Sequence, residues 1–142
     1  MIYTPSTKQA MKLCFNAHKD QVDYNGIPYV FHPIHLAEQM QDEDSTVVAL
    51  LHDVVEDTEY TIDDLIAMGF NESVIEAIRL MTHDDGVEYT EYLEKIKEND
   101  LARRVKIADV MHNSDQTRLD VIDEKARKWE IKYKKAKEIL GI

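Results

Sequence analysis

One cysteine, four glycines and three prolines in 142 residues leave little material for several kinds of architecture. A lone cysteine, Cys14, cannot close an internal disulfide, which excludes a disulfide-stapled scaffold and points to a reducing, cytoplasmic setting. No apolar stretch approaches the roughly 20 residues needed to span a bilayer, and the N-terminal MIYTPSTKQAMK lacks the apolar centre of a signal peptide. With so few glycines and prolines, no Gly/Ser-rich linker and no internal repeat, the pattern expected is helices joined by short turns. Basic runs are missing too. Seventeen Lys and Arg against 28 Asp and Glu give a formal net charge of -11, which argues against general nucleic-acid or anionic-membrane binding. Local cations or a metal would still admit a small anionic ligand.

What is present suffices for one core: 44% of the residues are hydrophobic, and residues 1–142 are expected to form a single all-α domain, a compact helical bundle. The first helix is predicted to start near Thr4-Pro5-Ser6 and to carry Ala10, Leu13, Cys14 and Ala17 on one face, with His18 close to its end. Residues 21–33, QVDYNGIPYVFHP, read as an irregular loop feeding a second helix, HPIHLAEQM, with His32 at its mouth. A third helix is predicted from the caps Asp44 and Ser45 through TVVALLHDVVED. Thr61 and Asp64 form a capping box that opens TIDDLIAMG, and Gly69 stops it. NESVIEAIRLMTH, YTEYLEKIKE, LARRVKIADVMHNSDQT and EKARKWEIKYKKAKEIL complete the helices, and nothing reads as a sheet. In the last of these, Trp129, Ile131, Tyr133, Ala136 and Leu140 are expected to pack the core, with a homo-oligomeric contact or a tail lying near the pocket as the alternatives.

The chemistry concentrates in LLHDVVEDTEY, residues 50–60, where four ionisable groups follow an apolar run. Burying an unpaired charge costs several kcal/mol, roughly, so these groups need a partner. On one helix Glu56 lies a turn beyond His52 and Asp53, and Asp57 a turn beyond Asp53, so all four can face one site. A metal ion would supply the missing positive charge, with neutral imidazole and carboxylate as ligands. Two ligands seldom suffice, and His32 and Asp109, the latter a charge inside the apolar run of KIADVMHN, are the natural additions.

His18 with Gln21, then GIPYVFHP, LLHDVVEDT and KIADVMHN, follow the order and approximate spacing of the HD-domain phosphohydrolases, and over residues 10–115 the chain most closely resembles the hydrolase domain of the RelA/SpoT family. The resemblance implies an all-helical enzyme that removes pyrophosphate from the 3′ position of the alarmones ppGpp and pppGpp, using manganese. It implies His32, His52, Asp53 and Asp109 as ligands of one divalent metal and Glu56 and Asp57 as the catalytic acids. Tyr29 and Asn113 match positions lining the nucleotide pocket. Two imidazoles and two carboxylates also suit zinc or iron, and they leave coordination positions for water and a phosphate oxygen. His18 reads as a partner behind the ligands, with simple packing as the alternative; His35, one turn after His32, reads as a surface or helix-packing histidine, with facing the site as the alternative, and His83 and His112 receive no role.

Two positions depart from the family pattern. Asp23 stands where an arginine that contacts the guanine nucleotide is common, and Val110 where an arginine often follows the metal-binding aspartate. Lys106, one turn before Asp109, is the first candidate to meet phosphate, with Lys19, Arg79 and Arg118 as lesser ones, and a solvated surface charge is the alternative for each. Two alternatives stand beside the alarmone hydrolase: a phosphohydrolase for another nucleotide or phosphorylated metabolite, which Asp23 favours, and a non-catalytic nucleotide sensor, which the complete ligand set disfavours.

Overall fold

Capping decides where most of the helices begin. In the computed structural model, which describes residues 1–142, Thr4 caps α1 (Pro5–His18) through a reciprocal bond with Thr7, and Thr61 and Asp64 form the predicted box at α5 (Ile62–Ala67). Asp42, not Asp44 or Ser45, caps α3 (Glu43–Leu51) by accepting the Ser45 N–H at 2.8 Å. The remaining elements are α2 (Phe31–Glu38), α4 (Val54–Asp57), α6 (Glu72–Met81), α7 (Tyr89–Lys97), α8 (Asp100–Asn113), a 3-10 turn (Gln116–Arg118) and α9 (Glu124–Leu140). The sole β contact is an isolated antiparallel bridge between Val22 and Pro28 within the α1–α2 loop.

α3 is the axle of the bundle. Every residue from Ser45 to Leu51 is buried, and the helix packs against α1, α2, α6 and α8. Fully burying a leucine contributes about 1.5–3 kcal/mol, so Leu50 and Leu51, both wholly inaccessible, pin the segment that leads directly into His52. α9 lies outside this ring against α7 and α8. Its C-terminal end is held by Arg103, whose guanidinium donates twice to the Leu140 carbonyl, at 2.7 and 3.2 Å. Of the apolar face expected on α9, Ala136 and Leu140 are buried, whereas Ile131 is 73% exposed and Trp129 only partly covered.

The continuous helix expected through TVVALLHDVVED is broken. α3 stops at Leu51 and α4 resumes at Val54, with Asp53 at φ -105° and ψ 0°. The cause is local. In an unbroken helix the Ala49 carbonyl would accept from the Asp53 N–H, but here it accepts from the His52 ring Nδ1 at 2.7 Å. The break turns His52 inward while leaving Asp53, Glu56 and Asp57 on a separate short helix.

Candidate metal centre and active site

Three helices bring three ligand atoms together: α2 supplies His32, the end of α3 supplies His52, and α8 supplies Asp109, all buried and with donor atoms within 4.8 Å of one another. Asp109 Oδ1 lies 2.9 Å from His32 Nε2 and 3.5 Å from His52 Nε2. A second group, Asp53, Glu56 and Asp57, is clustered by the same distance measure. The four groups of LLHDVVED thus divide between two adjoining clusters rather than forming one, because of the helix break. Asp53 joins them, with Oδ2 3.1 Å from His52 Nε2.

Hydrogen bonds on the far side of each imidazole determine what it presents to the centre. His52 Nδ1–H donates to the Ala49 carbonyl, and His52 Nε2 is buried with no hydrogen-bond partner. His32 Nδ1 lies 2.7 Å from His112 Nδ1. Burial, then the Arg118 charge and the neighbouring His32 and His35, lower His112 to about 4, so His112 is neutral at pH 7 and accepts from His32 Nδ1–H. Both ligand rings then direct Nε2 lone pairs at the carboxylates. Lone pairs facing carboxylate oxygens at these distances require a cation among them, either protons on the rings or a metal ion. A divalent metal fits this donor set of two imidazoles and carboxylate oxygen.

The electrostatics agree. Burial alone would lower His52, yet the Asp53 and Asp109 carboxylates raise it well above the ordinary histidine range. Burial would raise Asp53, but His52 and the Tyr29 hydrogen bond bring it down to about 2. Asp109, similarly penalised by burial, is held well below the usual carboxylate range by Lys106, His32 and His52. Lys106, expected at phosphate, instead gives its ammonium to Asp109 Oδ2 at 2.9 Å and lies over the Tyr92 ring, its side chain only 12% exposed. Asn113, expected at substrate, donates to Asp109 Oδ1 at 3.0 Å and lines the adjacent cavity as well.

The two expected catalytic acids are held differently. Glu56 Oε1 accepts the His83 backbone N–H at 2.6 Å, which gives His83 a position the sequence reading left blank. Asp57 has no such partner: desolvation of its inner side, then the charges of Asp53 and Glu56, raise it to about 6. Tyr29 is kept protonated by burial beside Asp53 and donates its hydroxyl to that carboxylate. His18 lies behind it with ring centroids 5.0 Å apart. Its Nδ1–H donates to Gln21 Oε1 at 2.8 Å, and Gln21 donates in turn to the Asp57 carbonyl at 3.1 Å. His18 therefore braces α4 and Tyr29 from behind.

A cavity of about 460 Å³ opens beside the centre, lined by Tyr29, His32 and Asn113 at one end and reaching Arg118, Trp129 and Tyr133. Asp23 also lines it, but its carboxylate is occupied: it accepts the N–H groups of Asn25 and Ile27 at 2.9 and 3.0 Å and faces Arg118 Nη2 at 3.7 Å. Arg79 is solvated as expected, more than half exposed, whereas Arg118 is drawn into the cavity wall. Sequence reasoning gave His112 no role, held Arg118 only as a lesser phosphate candidate, and read Trp129 as core packing with a tail near the pocket as one alternative. His112 alone carried a usable signal, its i+3 spacing from Asp109; Arg118 and Trp129 arrive through an irregular connection.

Comparisons with known proteins bear on the family and the fold. The chain is 34% identical over 96 residues to the bifunctional (p)ppGpp synthase/hydrolase SpoT of Escherichia coli K12, a match covering 65% of this chain and 14% of that protein. It is 31% identical over 148 aligned positions to a GTP pyrophosphokinase of Streptomyces coelicolor, covering 95% of this chain and 16% of the relative. The chain thus spans about a seventh of the length of the curated relatives it matches. Its fold is shared with a solved structure of a metazoan ortholog of SpoT that hydrolyzes ppGpp, at a TM-score of 0.79 and 24% identity, covering 99% of this chain and 88% of the other. Residues 10–128 match the model of the HD domain, and the chain belongs to the HD domain family.

Proposed function

We propose that the protein is a metal-dependent phosphohydrolase that removes pyrophosphate from the 3′ position of the guanosine alarmones ppGpp and pppGpp. The observation that carries the reading is the convergence of His32, His52 and Asp109, with an orphaned imidazole nitrogen, beside a second acidic cluster and a nucleotide-sized cavity. The relative named a (p)ppGpp synthase/hydrolase supports the substrate. His32, His52, Asp53 and Asp109 would hold one divalent ion, manganese in our reading, with zinc and iron also suited to the donors.

When bound, the metal lowers the pKa of water and polarises the phosphoryl group. The protein's own residues do the rest. The Ala49 carbonyl and neutral His112 set the tautomers of His52 and His32. Lys106 balances Asp109 rather than meeting phosphate, and Tyr29 orients Asp53 through its hydroxyl. Asp57, raised to about 6, is the better acceptor for the proton leaving the attacking water, while Glu56, tied to the His83 N–H, orients that water. Tyr29 and Asn113 border the nucleotide. Asp23, whose charge favoured a different phosphorylated substrate, is neutralised within its own turn and by Arg118, which supports the alarmone reading.

Residues 1–142 would act as one HD-type unit, and the buried free thiol of Cys14 suits the cytoplasm. The test is incubation of manganese-loaded protein with ppGpp, scoring pyrophosphate and orthophosphate separately. Pyrophosphate release with GDP as co-product is expected. Orthophosphate release alone, or preferential cleavage of unrelated phosphate esters, would replace this reading with another hydrolase activity. Tight nucleotide binding without cleavage would make the protein a sensor.

A further inference from the structure

The part of the cavity bounded by Asp23, Tyr24 and Arg118 is built by two loops clasped to each other. Arg118 Nη2 faces Asp23 at 3.7 Å, Asn25 Oδ1 accepts the Asp120 N–H at 3.0 Å, and the Tyr24 hydroxyl donates to Asp123 at 2.5 Å. Tyr24 also meets Trp129 edge to face, with ring centroids 5.1 Å apart, and Lys125 Nζ lies over both rings at 4.9 and 5.2 Å. Arg118, Lys125 and Trp129 line the same cavity as His32 and Asn113, so one continuous space runs from the ligand cluster to this corner. Trp129 lies beyond the residues matched by the HD domain model.

Arg118 is held but not exhausted. Nη1 donates to the His112 carbonyl at 2.9 Å and Nη2 faces Asp23, yet a guanidinium carries five N–H donors in a planar fork. The side chain is 24% exposed and lines the cavity. Two cations beside an aromatic corner, in a chain of net charge -11, suit a ligand that is both anionic and aromatic.

We propose that Arg118 reads the base of the bound nucleotide, its fork donating to O6 and N7 of guanine while Trp129 provides the stacking surface. This rests on the reading of the site as a nucleotide hydrolase. A guanine offers two acceptors to an arginine fork; adenine presents an amino donor at position 6, against which an arginine donor has no acceptor. Asp23 and the His112 carbonyl are positioning groups that orient the fork. Stacking on Trp129 is indifferent to which purine is bound, because every base has a π face.

GDP and ADP carry no 3′ phosphate ester, so titrating each into the metal-loaded 142-residue chain separates binding from hydrolysis. GDP is expected to bind at least about tenfold more tightly than ADP. Arg118→Lys, which keeps the charge and loses the fork, should bring the two affinities together, with an unchanged circular dichroism melt confirming the fold. Trp129→Leu should weaken both by about tenfold and preserve their ratio. Equal affinities in the unsubstituted protein, a guanine preference that survives Arg118→Lys, or no binding of either nucleotide would overturn the assignment. A guanine preference lost in Arg118→Lys, together with no pyrophosphate release from ppGpp, would leave Arg118 as the reader and overturn the hydrolase activity instead.

Discussion

The ligand cluster and the cavity rim are neighbours built on opposite terms. At the cluster, helices α2, α3 and α8 deliver buried side chains whose outer nitrogens and oxygens are occupied by the buried Ala49 carbonyl and by the partly buried His112 and Lys106. At the rim, loop meets loop through more exposed polar pairs, and α9 contributes from outside the ring of helices around α3. Low dielectric makes each interior contact strong and each missing partner costly, whereas water screens the rim. On the function proposed above, the interior would set whether chemistry occurs and the rim what is admitted.

Substitutions can break that division, starting inside. Asp109→Ala should lose bound metal and activity together and destabilise the fold by about 3–5 kcal/mol, because Lys106 is left buried without its counter-ion. Metal analysis and denaturant melts check this, and a variant retaining metal at native stoichiometry would show that the cluster is not the centre. Next in size, Asp57→Asn should lower kcat by about 10²–10⁴-fold, whereas Glu56→Gln, whose amide carbonyl can still accept the His83 N–H, should lose only about tenfold. Steady-state kinetics with equal losses in the two variants would remove the proposed division between the acids.

Chelation probes the same interior without substitution. At a free metal concentration of 100 times its Kd, binding stabilises the native state by about 2.7 kcal/mol, so EDTA should lower Tm by several degrees. An unchanged melt would mean that the cluster holds no ion. The smallest effect belongs to Cys14, which neither region uses. Burial, and then the Asp53 charge, raise its thiol to about 12. Below 9.0, the ordinary value for a thiol, the group is protonated whether the chain is folded or not, so its contribution to stability is complete there and is lost as pH rises through about 12. Iodoacetamide at pH 8 should leave native Cys14 unmodified and label it after denaturation; fast native labelling would show an opening that reaches the core.

Legibility in the sequence followed the range of the interaction. Thr4, Thr61 with Asp64, and Gly69 announce helix ends because their partners lie within four residues, and the structure has them as caps and a stop, with Gly69 at φ +88°. The convergence of His32, His52 and Asp109 was legible because charged residues inside apolar runs demand partners. The break after Leu51 was not, since apolar periodicity continues across it and the competing donor to the Ala49 carbonyl, His52 Nδ1–H, is a choice of side-chain rotamer that spacing does not reveal. Lys106 was misjudged for a related reason: spacing placed it beside Asp109, but only packing over Tyr92 shows that it faces the aspartate rather than the ligand space. Arg118 looked like a surface charge because its partner, Asp23, lies 95 residues earlier in the chain.

The double grip of Arg103 on the Leu140 carbonyl bears on selectivity. α9 is about 25 Å long, secured at its far end by that guanidinium and at its near end by Asp123 and Trp129 against Tyr24. It contributes no ligand to the metal cluster. On the assignment proposed for Trp129, substitutions on this one peripheral helix would change what the cavity accepts and leave the ligand-bearing helices beneath it untouched.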